Sequence, residues 1–148
     1  MELSGEKFIP ASVDLVWLSL NDIDVLKIAI PGCEQIERLS PEEVQATVMI
    51  KIGPVKARFS GKLLLSDVVP SRSCTMNFSG SGGAAGFAKG QSKVELHAVE
   101  GGTNVIYSSE ASIGGKLGQI GGRLISASAK KIADSFFEEF SKQLTVSN

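Results

Sequence analysis

The chain has 148 residues, 15 of them basic and 16 acidic; this length fits one domain, residues 1–148, and the even charge balance gives no field that would concentrate nucleic acid. No run approaches the roughly 18 apolar residues of a membrane span, and the opening MELSGEKFIP has neither the basic nor the apolar region of a secretory leader. With two well-separated cysteines, Cys33 and Cys74, the expectation is a cytoplasmic protein with free thiols, whose contact with a membrane is at most peripheral and at its inner face.

Residues Leu3 to Ile9 read as a short strand stopped by Pro10, which has no amide proton for a ladder. Ser12 offers an N-cap to a short helix with Val13, Val16, Trp17 and Leu20 on its apolar face. Asn21-Asp22 starts a second helix carrying Val25, Leu26, Ile28 and Ala29, and Pro31-Gly32 ends it. From Glu34 to Ile113 the punctuation is that of an antiparallel meander, with Ser40-Pro41, Gly53-Pro54, Pro70-Ser71 and Gly101-Gly102 separating six strands. Lys56, Arg58, Ser60 and Lys62 alternate with Ala57, Phe59, Gly61 and Leu63, and Lys93, Glu95 and His97 alternate with Val94, Leu96 and Ala98, so each strand has one wet and one dry face. The glycine cluster from Ser79 to Gly90 contains a loose G-x-G-x-x-A. A dinucleotide loop would need a helix after it, and strand-type sequence follows instead, so a glycine-loosened hairpin is predicted.

The chain closes with GGKLGQIGG from Gly114 and then RLISASAKKIADSFFEEFSKQL from Arg123, in which Leu117, Ile120, Leu124, Ile132, Phe136, Phe140 and Leu144 recur at helical spacing. This apolar stripe needs the sheet as its surface, and a curved sheet closing on one helix leaves a cavity between them. Each glycine inside a helix costs about 1 kcal/mol relative to alanine, so Gly114, Gly115, Gly118, Gly121 and Gly122 mark a hinge or gate. Three readings stand side by side: a mobile helix entrance, close approach of helix to sheet, and a small-residue contact of Gly118 and Gly122 with another chain.

Catalytic constellations are sparse. His97 is the only histidine and lies on a wet face, which leaves no partner for a nucleophile relay. Cys33 lacks an adjacent base, and Cys33, Cys74 and His97 have no metal-ligand spacing. The pairs Glu42-Glu43 and Glu138-Glu139 read as solvated. Glu110 interrupts a late strand, and an inward orientation would make it a candidate pocket acid.

Ile9-Pro10-Ala11-Ser12 followed by Val16-Trp17, Leu20 and Asp22 resembles the N-terminal signature of the START-like, polyketide-cyclase-like (SRPBCC) superfamily. Ala29-Ile30-Pro31-Gly32-Cys33-Glu34, the segment Ile52-Gly53-Pro54-Val55-Lys56-Ala57-Arg58-Phe59-Ser60-Gly61 and the run from Gly114 resemble, in the same order, the CoxG family of carbon monoxide dehydrogenase subunits. The resemblance implies an α+β helix-grip fold, in which a seven-stranded antiparallel sheet wraps round the long C-terminal helix, two short helices follow the first strand, and an apolar cavity lies inside. It also implies an accessory protein of molybdenum hydroxylases of the CO dehydrogenase type, with enzyme recruitment to the membrane and quinone handling as family roles. Many relatives carry an apolar tail, whereas this chain ends at Asn148; the pocket is therefore expected to carry the function.

The leading expectation is a non-enzymatic carrier with no covalently bound cofactor and no metal, holding a quinone or lipid against Trp17, Phe59, Met76, Phe78, Phe87, Tyr107, Leu117, Ile120 and Leu124. The alternatives are an assembly or membrane-recruitment factor working through its outer surface, and a small cyclase or hydrolase using Glu110.

Overall fold

The computed structural model describes residues 1–146. Strand β1 (Glu2–Ile9) leads into helices α1 (Val13–Leu20) and α2 (Ile23–Ala29). Six strands follow: β2 (Cys33–Arg38), β3 (Glu43–Ile52), β4 (Val55–Val69), β5 (Ser73–Ser81), β6 (Phe87–Val99) and β7 (Gly102–Gly114). Helices α3 (Gly115–Gln119) and α4 (Gly122–Val146) complete the described chain. The strands form one antiparallel seven-stranded sheet in the order β1-β7-β6-β5-β4-β3-β2. This is the helix-grip arrangement.

Local chemistry places each boundary. The backbone N–H of Leu15 donates to Ser12 Oγ at 3.2 Å and that of Asp24 to Asp22 Oδ1 at 2.9 Å, so both short helices carry side-chain N-caps. At the β3–β4 turn Gly53 has φ of 56°, a conformation open to glycine but strained for most side chains. Arg38 ties the end of β2 to the helices, its guanidinium donating to the carbonyls of Asn21 at 2.6 Å and Pro41 at 3.0 Å.

Strict alternation gives the sheet an outer face and an inner face turned to the helices. Val44, Ala46, Val48, Phe59, Leu63, Leu65, Met76, Phe78, Ser92, Val94, Tyr107 and Ser109 share the inner one through their cross-strand register. The core is divided. The larger cluster holds Ile9, Val16, Ala29, Val94, Leu96, Val105, Tyr107, Phe140 and Leu144. The smaller one, at the far end of the sheet, holds Ile52, Phe59 and Leu117, with Ile113 and Ile120 packed on it.

The terminal helix corrects the predicted stripe. Gly121, at φ of 100°, ends α3 before α4 begins, so the phase set by Leu117 and Ile120 does not run on. In α4 the buried line starts at Ile125, 5% exposed, and continues through Phe140 and Leu144, whereas Leu124 and Ile132 are 40% and 38% exposed. Phe136 and Phe137 lie beside that line, with Phe136 stacked on Phe140 at 5.6 Å and Phe137 on Tyr107 at 5.5 Å. An ion pair of 2.6 Å between Lys7 and Asp134 straps β1 to α4. Lys7 and Lys130 together hold the Asp134 carboxyl below the usual carboxylate range.

Candidate functional site

Between the two clusters the inner face is unfinished. Val48, Leu63, Leu65, Met76 and Phe78 face the helices and are only partly buried. Above them the first half of α4 reads Ile125-Ser126-Ala127-Ser128-Ala129, side chains too short to fill the space under a helix. Between the larger cluster and the smaller one, which includes Leu117 of α3, the inner face is thus apolar and only partly covered; this stretch is the candidate gap between sheet and helix.

The predicted wall residues divide on this geometry. Phe78 is partly buried on the inner face, and Met76, also partly buried, packs against the larger cluster. Trp17 and Tyr107 pack with the larger cluster, where Tyr107 is 8% exposed. Phe59, Leu117 and Ile120 belong to the smaller one. Two placements are corrected. Phe87 lies on the outer face, 50% exposed and opposite Gly114, because alternation from Ala88 turns it away from the helix. Leu124 lies over the Gly53 turn rather than in the gap, since a Cβ on Gly53 would stand 2.9 Å from its Cδ2.

The predicted hinge glycines also fall into two kinds. A Cβ on Gly115 would sit 2.5 Å from Gly86 Cα, one on Gly118 2.8 Å from the Ile113 carbonyl oxygen, and one on Gly114 would overlap the Phe87 ring. These three are sites of close approach, at which α3 is seated against the sheet and the β5–β6 loop. Gly121 and Gly122 have nothing within 4 Å, so the freedom of the hinge is concentrated between α3 and α4.

Glu110 is exposed on the outer face, opposite Gln91 and Glu2. It borders an open outer groove of about 840 Å³ together with Glu43, Lys62, Lys89 and Asn77, on the opposite side of the sheet from the helices. A second open groove, of about 690 Å³, runs between β1 and α4 past Lys7 and Phe137. His97 is exposed, with Glu95 at 3.8 Å. Burial pushes both thiols up, Cys74 through burial alone and Cys33 against an opposing influence from Lys27, so neither is activated as a nucleophile. Among the described residues no group of His, Cys, Asp or Glu is arranged to hold a metal ion, and no helix is long and apolar enough to cross a membrane.

One polar feature of the inner face was missed in the sequence. Ser92 and Ser109 stand opposite each other on β6 and β7, and Ser109 Oγ donates to Ser92 Oγ at 2.8 Å. The signal was available: Ser92 interrupts the dry series Val94, Leu96, Ala98 on the same face of its strand.

An antiparallel sheet closed on a single long helix defines a protein of the helix-grip class. Within that class the chain belongs to the CoxG family of carbon monoxide dehydrogenase subunits, whose model matches residues 5–145. A conserved protein from Geobacillus kaustophilus is similar in structure at a TM-score of 0.93, with 26% identity over 99% of this chain and 97% of that one. The Zhui aromatase/cyclase from Streptomyces sp. R1128 shares the fold at a TM-score of 0.70 and 10% identity, covering 98% of this chain and 93% of its own. Ara h 8.0201 does so at 0.67 and 13%, covering 100% and 99%. No curated protein gives a significant match.

Proposed function

We propose that this protein is a non-enzymatic carrier that holds an apolar small molecule, a quinone or a lipid, between the sheet and α4, and that it serves a molybdenum hydroxylase of the CO dehydrogenase type. The observation that carries the reading is the incompletely covered inner face: Leu63, Leu65 and Phe78 are only partly buried on it, while the first half of α4 carries mainly serine and alanine. An apolar ligand gains by removing that surface from water. Among the described residues, the groups weighed for catalysis lie elsewhere: Glu110 and His97 are exposed on the outer face, and burial pushes both thiols up. The break between α3 and α4 is the gate in this reading.

The test is direct. Native mass spectrometry of gently purified protein should show a bound apolar molecule, and the emptied protein should bind a prenylated 1,4-quinone. Leu63→Trp, which fills the gap, should weaken that binding by tenfold or more, about 1.4 kcal/mol. Unchanged affinity in this variant would refute the location. Partner capture that survives Leu63→Trp would favour the second reading, an assembly factor docking through its outer face, for which the groove around Lys62 and Glu43 is the feature in support.

The end of the molecule that carries α3 also suits a peripheral membrane contact. Lys51 and Lys56 face each other beside the Gly53 turn, Lys116 lies in α3 and Arg123 opens α4. None of the four is in an ion pair among the described residues. Phe87 and Leu124 are exposed beside them. Cations near an anionic lipid surface contribute about 1 kcal/mol each, so Lys51→Gln/Lys56→Gln should reduce partitioning onto phosphatidylserine vesicles about 30-fold. Sedimentation with phosphatidylserine and with phosphatidylcholine vesicles checks this; equal binding to both would remove the membrane contact from the proposal.

A further inference from the structure

We infer that the Ser92–Ser109 hydroxyl pair is the polar end of the gap and donates one hydrogen bond to a carbonyl or ether oxygen of an otherwise apolar ligand. This rests on the carrier reading above and adds to it a contact that selects among apolar molecules.

The pair lies at the boundary between filled core and open space. One step along the strands, Val94 and Tyr107 are 7% and 8% exposed and belong to the larger cluster. One step the other way the inner-face pair is Gly90 and Ala111, which offer one methyl group between them. Across β5, Ser92 is opposite Met76, which with Leu65 and Phe78 forms the partly buried wall. A molecule entering from the α3 end therefore meets small residues first and reaches the two hydroxyls where the core closes.

Proton counting gives the pair its capacity. Two serines carry two hydroxyl protons, and the 2.8 Å bond between them uses one. Among the described residues neither hydroxyl makes another hydrogen bond. Ser92 is only 6% exposed, so its proton has little access to bulk water, and an acceptor brought by a ligand would satisfy it. Because serine is neutral and there is no base beside it, the pair recognises an oxygen without ionising or attacking it. Apolar molecules that carry an acceptor at one end should be preferred to pure hydrocarbons of the same shape.

The experiment compares two probes, a prenylated 1,4-naphthoquinone and the prenylated naphthalene that lacks both carbonyls. Replacing both partners of a buried hydrogen bond by alanine removes two polar groups together and spares the fold the cost of an orphan. Ser92→Ala/Ser109→Ala should therefore stay folded, weaken the quinone about 3- to 10-fold and leave the hydrocarbon unchanged. Equal weakening of both probes, or no change in either, overturns the inference while leaving the carrier reading in place. A wild-type protein that binds neither probe overturns both. Should the double variant fail to fold, the infrared carbonyl band of the quinone bound to wild-type protein decides. A shift to lower frequency than in alkane solution supports the donor, and an unshifted band refutes it.

Discussion

Phe140→Ala is expected to destabilise the protein by about 3–5 kcal/mol, the range for removing a fully buried aromatic ring. Phe140 is 0% exposed, stacks on Phe136 and joins Ile9, Val105 and Leu144 in the larger cluster. Its loss removes apolar burial and leaves a cavity where α4 meets the sheet and α2. Domains have net stabilities of about 5–15 kcal/mol, so this one change takes away a large share of what holds the helix down. Ile132→Ala makes the contrast, because Ile132 is 38% exposed and its truncation should cost about 1 kcal/mol or less. Urea denaturation measures both, read as a shift in midpoint at constant slope. Equal losses at the two positions would contradict the phase of α4 described above.

That phase shows where sequence reasoning reaches its limit. The seven strands, both short helices and every turn between strands were legible, because alternation in strands and proline or glycine at turns are local signals. Ser12 and Asp22 even announced their capping bonds. Leu124 was misplaced because helical periodicity was extended across Gly121, and whether a glycine continues a helix or breaks it depends on its φ, which composition does not specify. Phe87 failed for a related reason. It stands first in its strand, where one residue of uncertainty decides the face. For the candidate site, the sequence indicated only its place, between the sheet and the last helix. Its walls were not legible, since a large apolar residue such as Phe59 or Tyr107 looks the same in sequence whether it fills the core or borders a cavity. Ser92 was visible as an interruption in β6, but its bond to Ser109 was not, because it joins β6 to β7 and no single strand shows a cross-strand bond.

Gly86→Ala is the second large effect, and it bears on the gate. Gly86 has φ of 120°, a region open essentially to glycine alone, and a Cβ there would collide with the Gly114 carbonyl oxygen. Its own backbone is fixed at both ends, the N–H donating to the Gly83 carbonyl at 3.1 Å and the carbonyl accepting from the Gly82 N–H at 2.9 Å. Backbone cannot yield as a flexible side chain can. Strain of about 1–3 kcal/mol from the conformation and a similar amount from the collision should combine to a loss of about 2–6 kcal/mol. The loss should be local. Gly86 meets the segment Gly114-Gly115 that seats α3, and Leu117 of α3 packs in the smaller cluster, apart from the one that holds Phe140. The expected result is faster hydrogen exchange in residues 113–120 with protection retained in β7 around Val105. Gly121→Ala is the control: it too has positive φ, yet nothing lies within 4 Å, so about 1–2 kcal/mol of backbone strain is the whole effect. If α3 is the gate, a bound quinone should leave the Gly86→Ala protein faster than wild type, while the affinity difference between quinone and hydrocarbon stays the same. Unchanged release together with a loosened α3 would separate the hinge from the path of the ligand.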